Sequence, residues 1–222
     1  MDKELKHDLS RDLNRVHQII TRALDVSIEN SDKIIKLGYP DNDTKEGFLN
    51  YVSSLFTVID VHHKLEDEVA FPFLQDRFPL APFNILDKQH IEIVTKLREA
   101  NNILTKLKNI ESNLILNDLS KVLSEIKNLW HPHIALEEEQ FASKEIMALI
   151  NQEEQKRLAA EFANFSKTNA APDYLIVPFL LYNLPEEERK LFAENLPPII
   201  VNELAPVVWK DKWNSMKPFF LN

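Results

Sequence analysis

Four long stretches of the chain place apolar residues at alternating steps of three and four, the spacing that lines one face of an α-helix. The first runs from about Lys3 to Asn30, with Leu9, Leu13, position 17, Ile20, Leu24 and Ile28 on its seam, and stops in a loop holding Gly38, Tyr39 and Pro40. The second starts near a cap at Asp43 or Thr44 and continues at least to Phe71, where Pro72, Pro79 and Pro82 close it down. Its seam reads Phe48, Val52, Leu55, Ile59, positions 62 and 66, Val69 and Phe73. The third covers about Pro82 to Ile110 and reads Phe83, Leu86, position 90, Ile93, Leu97, Ala100, Leu104 and Leu107. The fourth, capped by Asn117 or Asp118, reaches about Phe141 through Leu119, Leu123, Ile126, Trp130 and positions 133 and 137. Short links between long helices make antiparallel neighbours, so the expected fold is all-α: an antiparallel up-down-up-down four-helix bundle over residues 1–142.

After Ser143 the pattern breaks into shorter helical pieces, about 144–168, 173–184, 186–196 and 198–216, punctuated by Pro172, Pro178, Pro185, Pro197, Pro198 and Pro206. This tail is too apolar to stand alone. Residues 143–222 are therefore expected to form a helical C-terminal extension packed on the bundle, or on a second copy of the chain in a homodimer.

Composition agrees. Two glycines in 222 residues, against a usual share of roughly 7%, disfavour hairpins and tight turns. The net charge of −9 repels nucleic acid and anionic membranes, which excludes both as expected partners. No cysteine is present, so disulfides, thiolate nucleophiles and cysteine-held metals are excluded. No uncharged run approaches a membrane span, and the N-terminus MDKELKHDLSRDL has no apolar signal core. A soluble cytoplasmic protein is the expectation.

The seams are interrupted by ionisable residues: His17 on the first, His62 and Glu66 on the second, His90 on the third, His133 and Glu137 on the fourth. At about 1.5 Å of rise per residue, all six can lie in one layer. His63 and Asp67 sit about 100° round from their neighbours, toward the seam's edge or solvent. His131 is off its stripe, and His63 and His131 are expected behind the inward groups or in solvent, with replacement of the neighbouring histidine as ligand the alternative for either. Burying two carboxylates costs several kcal/mol each unless something pairs with them, and no lysine or arginine falls on the seams near this layer. Metal ions supply the missing charge, and imidazole with carboxylate suits iron, manganese or zinc. A His and a Glu at i and i+4 share one helix face, so one can ligate terminally while the other bridges.

His17, the run HHKLE with FP downstream (62–72), His90 and HIALE (133–137) resemble the hemerythrin-like, or HHE cation-binding, domain over residues 1 to about 142. The resemblance implies a non-haem di-iron centre, two iron ions held by His17, His62, Glu66, His90, His133 and Glu137 and bridged by the carboxylates and an oxo or hydroxo group. It implies binding of oxygen, nitric oxide or iron for sensing, storage or stress protection. Turnover of peroxide or nitric oxide, or an interaction module with a structural metal site, are the alternatives. The oxygen-carrying hemerythrins of animals have five histidines. Only four fall on the stripes here, and Glu137 stands in place of an aspartate, which leaves a sixth position open on each ion. The ferritin-like di-iron pattern, Glu-x-x-His on two helices, is not matched.

Overall fold

The computed structural model describes residues 8–221, and helices are the only regular structure among them. The expected start near Lys3 lies outside the described residues. Four long helices form the body: α1 (Leu9–Leu37), α2 (Asn42–Leu65), α4 (Phe83–Asn109) and α5 (Asn113–Gln140). A π-helical turn, Glu66–Ala70, carries α2 into the short α3 (Phe71–Gln75). α1 packs on α2 and α5, and α4 packs on α2 and α5, closing a ring of four.

The ends of these helices differ from the sequence expectation for local reasons. α1 continues past Asn30 to Leu37 because nothing before Gly38 offers a left-handed residue; Gly38, at φ 76°, donates its N–H to the Ile34 carbonyl and ends the helix. α2 is capped by Asp41, not Asp43 or Thr44: its carboxylate accepts the Thr44 N–H at 2.6 Å. α5 begins at Asn113, a turn before the expected cap, which adds Leu116 to the buried seam. It runs through Pro132 without interruption.

That π-turn shifts the second seam. The Phe71 N–H reaches back five residues to the Glu66 carbonyl, which inserts one residue into the helical repeat. Beyond Glu66 the buried residues are therefore Ala70, Phe71 and Leu74, not the expected Val69 and Phe73, which are half-buried. Before it the expected seam holds, and on α4 all eight expected positions are the buried ones.

The apolar core is divided in two. One cluster contains Ile20 and Leu24 of α1, Ile59 of α2, Ile93 of α4 and Trp130 of α5. The other contains Leu9, Ala70, Phe71, Leu86 and Phe141. His17, His62, Glu66, His90, His133 and Glu137 fall between the two along every helix. α1 and α4 pass from the second cluster through this layer to the first, and α2 with its π-turn and α5 pass from the first to the second.

Residues 143–221 pack on the same chain. α6 (Ser143–Leu149) and α7 (Gln152–Asn169) supply Ile146, Ile150 and Leu158 to the second cluster, and Ser143 donates to the Asp8 carboxylate. α8 (Asp173–Tyr182) and the final 3-10 turn (Asn214–Phe219) cover the outer flank of α2, where Ile176, Phe179, Met216, Phe219 and Phe220 join the first cluster. α9 (Glu186–Ala193), a π-helical stretch (Ile200–Val208) and α10 (Lys210–Trp213) link them. A buried hub ties the parts together. Arg22 Nη1 donates to the Tyr51 hydroxyl (3.1 Å), to the Phe219 carbonyl (3.0 Å) and to Asn183 Oδ1, and Tyr51 donates to the same Asn183 oxygen at 2.6 Å.

Gly47 is the point of closest approach. A side chain there would overlap the Ser215 backbone carbonyl, so only glycine lets the terminal turn lie against α2. Gly47→Ala at a free helical site would stabilise by about 0.5–1 kcal/mol. Here it is expected to lower stability by about 1–3 kcal/mol through overpacking, read by thermal unfolding, with altered Trp213 fluorescence as the turn is displaced.

Candidate metal centre

Each helix contributes to the layer between the two clusters from its own apolar seam, which is why charged groups end up inside. His17, His62, Glu66, His90, His133 and Glu137 are all buried, His133 and Glu137 with no exposed surface at all. Glu66 and Glu137 reach across the bundle. Glu66 Oε1 lies 3.4 Å from His62 Nε2 and its Oε2 lies 3.5 Å from His90 Nε2. Glu137 Oε2 lies 3.3 Å from His17 Nε2 and 3.4 Å from His133 Nε2, and its Oε1 lies 3.7 Å from His90 Nε2.

These contacts resolve into two overlapping groups. Ligand atoms of His17, His62, Glu66 and Glu137 all lie within 4.8 Å of one another, and so do those of Glu66, His90, His133 and Glu137. Both carboxylates belong to both groups. The residues that the sequence places in one layer are thus brought together, two histidines to each half.

Three of the outer ring nitrogens are held. His17 Nδ1 donates to Glu138 Oε1 at 2.9 Å, His90 Nδ1 to Asp67 Oδ1 at 2.7 Å, and His133 Nδ1 to Gln89 Oε1 at 3.3 Å. A proton fixed on Nδ1 leaves the Nε2 lone pair facing inward, the tautomer a metal requires. The arrangement repeats: the residue after each inward glutamate, Asp67 after Glu66 and Glu138 after Glu137, grips the single histidine of a neighbouring helix. The HxxxE motif therefore reads as HxxxE followed by an acid.

His63 departs from expectation. It is not at the solvent edge but buried, 1% exposed, with its ring 4.4 Å from His90, 5.2 Å from His133 and 5.4 Å from His62. Its ligand atom joins His62, Glu66 and His133 in a third group. The reason is the width of the buried face on α2: Leu49, Phe56 and His63, seven residues apart, form a second buried line beside the seam. His131 is exposed, in solvent as one of its expected places. Trp130 is core packing that also walls the layer, its indole 5.4–5.9 Å from His17, His62, His63 and His133. Its Nε1 donates to Thr21 Oγ1 at 2.9 Å. A surface groove of about 320 Å³ between α1 and α5, lined by His17, Thr21 and Glu138, brings the surface to the rim of the layer.

Electrostatics without a cation are strained. Burial pushes Glu66 well above the carboxylate range, helped by the negative charge of Glu137 and Asp67. Burial would raise Glu137 too, but the imidazoles of His17 and His90 outweigh it and hold Glu137 well below that range. Burial drives His62 and His63 far down and His133 to about 4, their histidine neighbours adding to the effect. For His17 and His90 burial is overcome by carboxylates, Glu137 and Glu138 on one and Asp67 and Glu137 on the other, bringing His90 up to about 9.

Orphaned atoms test whether a cation fits. Nε2 of His17, His62, His90 and His133, Oε2 of Glu66 and both oxygens of Glu137 are buried without a hydrogen-bond partner. Each such group costs about 1–3 kcal/mol, and the ion-pair contacts of both glutamates are to histidines alone. A converging set of imidazole nitrogens and carboxylate oxygens, with no lysine or arginine among the described residues to meet them, fits a positive ion.

No helix among the described residues is long and apolar enough to cross a membrane. No curated protein and no solved structure gives a match to the chain. The sequence model of one family does, over residues 8–144, which spans all four long helices and every residue of the layer. The chain belongs to the family of the hemerythrin HHE cation binding domain.

Proposed function

We propose that the layer holds two iron ions, one ligated by His17 and His62 and the other by His90 and His133, with Glu66 and Glu137 shared, and that the centre binds oxygen, nitric oxide or peroxide. The observation that carries this is the pair of four-ligand groups with both carboxylates in common. Sharing places two cations against two buried carboxylates and cancels the charge that the fold otherwise leaves uncompensated. Iron bound by imidazole and carboxylate supplies reversible one-electron redox chemistry and exchangeable coordination positions.

The chain's own residues do the rest. Asp67 and Glu138 hold His90 and His17 in the Nε2-ligand tautomer and make them better donors. Both acids are partly exposed, 46% and 40% at the side chain, so they also offer a path for protons between the layer and water. Trp130, Ile59 and Phe71 keep bulk water from the ligands on either side. The groove beside His17 and Glu138 gives a small molecule its approach.

Purified protein is expected to carry two irons per chain by elemental analysis, with a ferric near-ultraviolet band lost on dithionite and restored by air. Metal-free, colourless protein after iron reconstitution would refute the proposal. Asp67→Asn keeps the shape but weakens the grip on His90, and should lower metal affinity about 10–100-fold, measured by competition with a chelator.

Stability of the metal-free form should peak near pH 6.5. Below about 6.5, the ordinary histidine value, the unfolded chain takes protons on His62, His63 and His133 that the fold refuses until about 4 for His133, so stability falls as pH drops. Glu66, raised in the fold, opposes this in part. Above 6.5 the fold keeps protons on His17, His90 and Glu66 that the unfolded chain releases, so stability falls again toward about 9 for His90. Bound metal replaces those protons, and thermal unfolding of the loaded protein should lose the alkaline decline.

A further inference from the structure

His63 has no task in the scheme above, yet its position is specific. It is the one histidine of the layer with both ring nitrogens buried and unpartnered, Nδ1 as well as Nε2. His17, His90 and His133 each have an outer nitrogen tied to a carboxylate or amide; nothing ties His63. Its ring is enclosed by His62, His90, His133 and Trp130, none of which offers it a hydrogen bond.

The company it keeps locates it within the centre. The group that includes His63 takes His62 from one half, His133 from the other, and Glu66, which is common to both. Glu137 is absent from this group although it belongs to the other two. His63 therefore stands on the side of the layer away from Glu137, within ligand reach of both halves. On the Glu137 side, His17, His90 and His133 already crowd the carboxylate. On the side of His63, that imidazole is the group that faces His62, His133 and Glu66.

We infer that His63 is an internal, displaceable ligand: its imidazole takes a coordination position facing both halves of the centre, and an incoming anion or gas molecule must displace it. This rests on the two-ion reading above. A neutral imidazole has one lone pair on its unprotonated nitrogen, and coordination satisfies an atom that otherwise remains orphaned. The absence of any bond to the outer nitrogen makes His63 easier to release than His17, His90 or His133, whose outer nitrogens are tied. The apparent affinity for an external ligand is then the intrinsic affinity multiplied by the fraction of centres in which His63 is off.

The test uses iron-loaded full-length protein, with azide as the probe and the ferric charge-transfer band as the readout. His63→Ala should retain two metals per chain and bind azide about tenfold or more tightly, since the internal competitor is gone. Added imidazole should cancel that gain. In cobalt-loaded protein the same variant should show a stronger visible d–d band, the mark of a lost ligand. His63→Gln, which fills the space but ligates poorly, should give the same direction and serves if the alanine variant does not fold. Azide affinity that is unchanged overturns the inference. Affinity that falls also overturns it, because His63 would then be donating a hydrogen bond to the external ligand. Wild-type protein that holds no metal overturns the two-ion reading itself, and this inference with it; metal retained with unchanged azide binding overturns this inference alone.

Discussion

Two glutamate carboxylates at the centre of an apolar four-helix bundle constrain everything around them. Among the described residues neither pairs with a lysine or arginine, and their ion-pair contacts, within 3.7 Å, are to histidine nitrogens. Such a pair can stay charged in a low dielectric only against positive ions or protonated imidazoles. The histidine shell, its fixed tautomers and the acids behind them are what a bundle must assemble once it has placed those carboxylates inside. The family match over residues 8–144 and the geometry of the layer meet at this point: a cation is what the donor set lacks.

Much of this was legible in the residue pattern. On α4 the alternation of three and four identifies every buried position, His90 among them, because the helix has a single apolar face and no irregularity. On α5 it finds His133 and Glu137 and misses only Leu116, in the turn before the expected cap, and Val122 beside the seam. The missed parts have definite causes. A seam two positions wide is too narrow for α2, which is covered on its outer flank by α8 and the terminal turn. The wider stripe through Leu49 and Phe56 would have enclosed His63. The exchange of Val69 and Phe73 for Ala70, Phe71 and Leu74 comes from one extra residue in the π-turn, which no composition rule signals.

The acids that follow each HxxxE pair were visible as letters but not as a device. Their role depends on which helix lies beside them: Asp67 meets His90 across the α2–α4 contact and Glu138 meets His17 across the α1–α5 contact. Adjacent residues on a helix point about 100° apart, so a glutamate aimed inward puts its successor toward a neighbour. Read this way, one tetrad of sequence specifies both a ligand and the clamp on its partner. The extension is likewise more than a tail, since Arg22 and Gly47 show α1 and α2 shaped to receive it.

The division of the apolar interior into two clusters has a mechanical meaning. A bundle with an uninterrupted oily spine melts as one piece, whereas one cut across by a band of imidazole and carboxylate has a natural plane of weakness. Its apolar packing falls into two blocks that meet across this band. Ions seated in that band would rivet the blocks together, so filling and emptying the centre changes how the whole cylinder flexes and breathes, far from the groups that touch the metal.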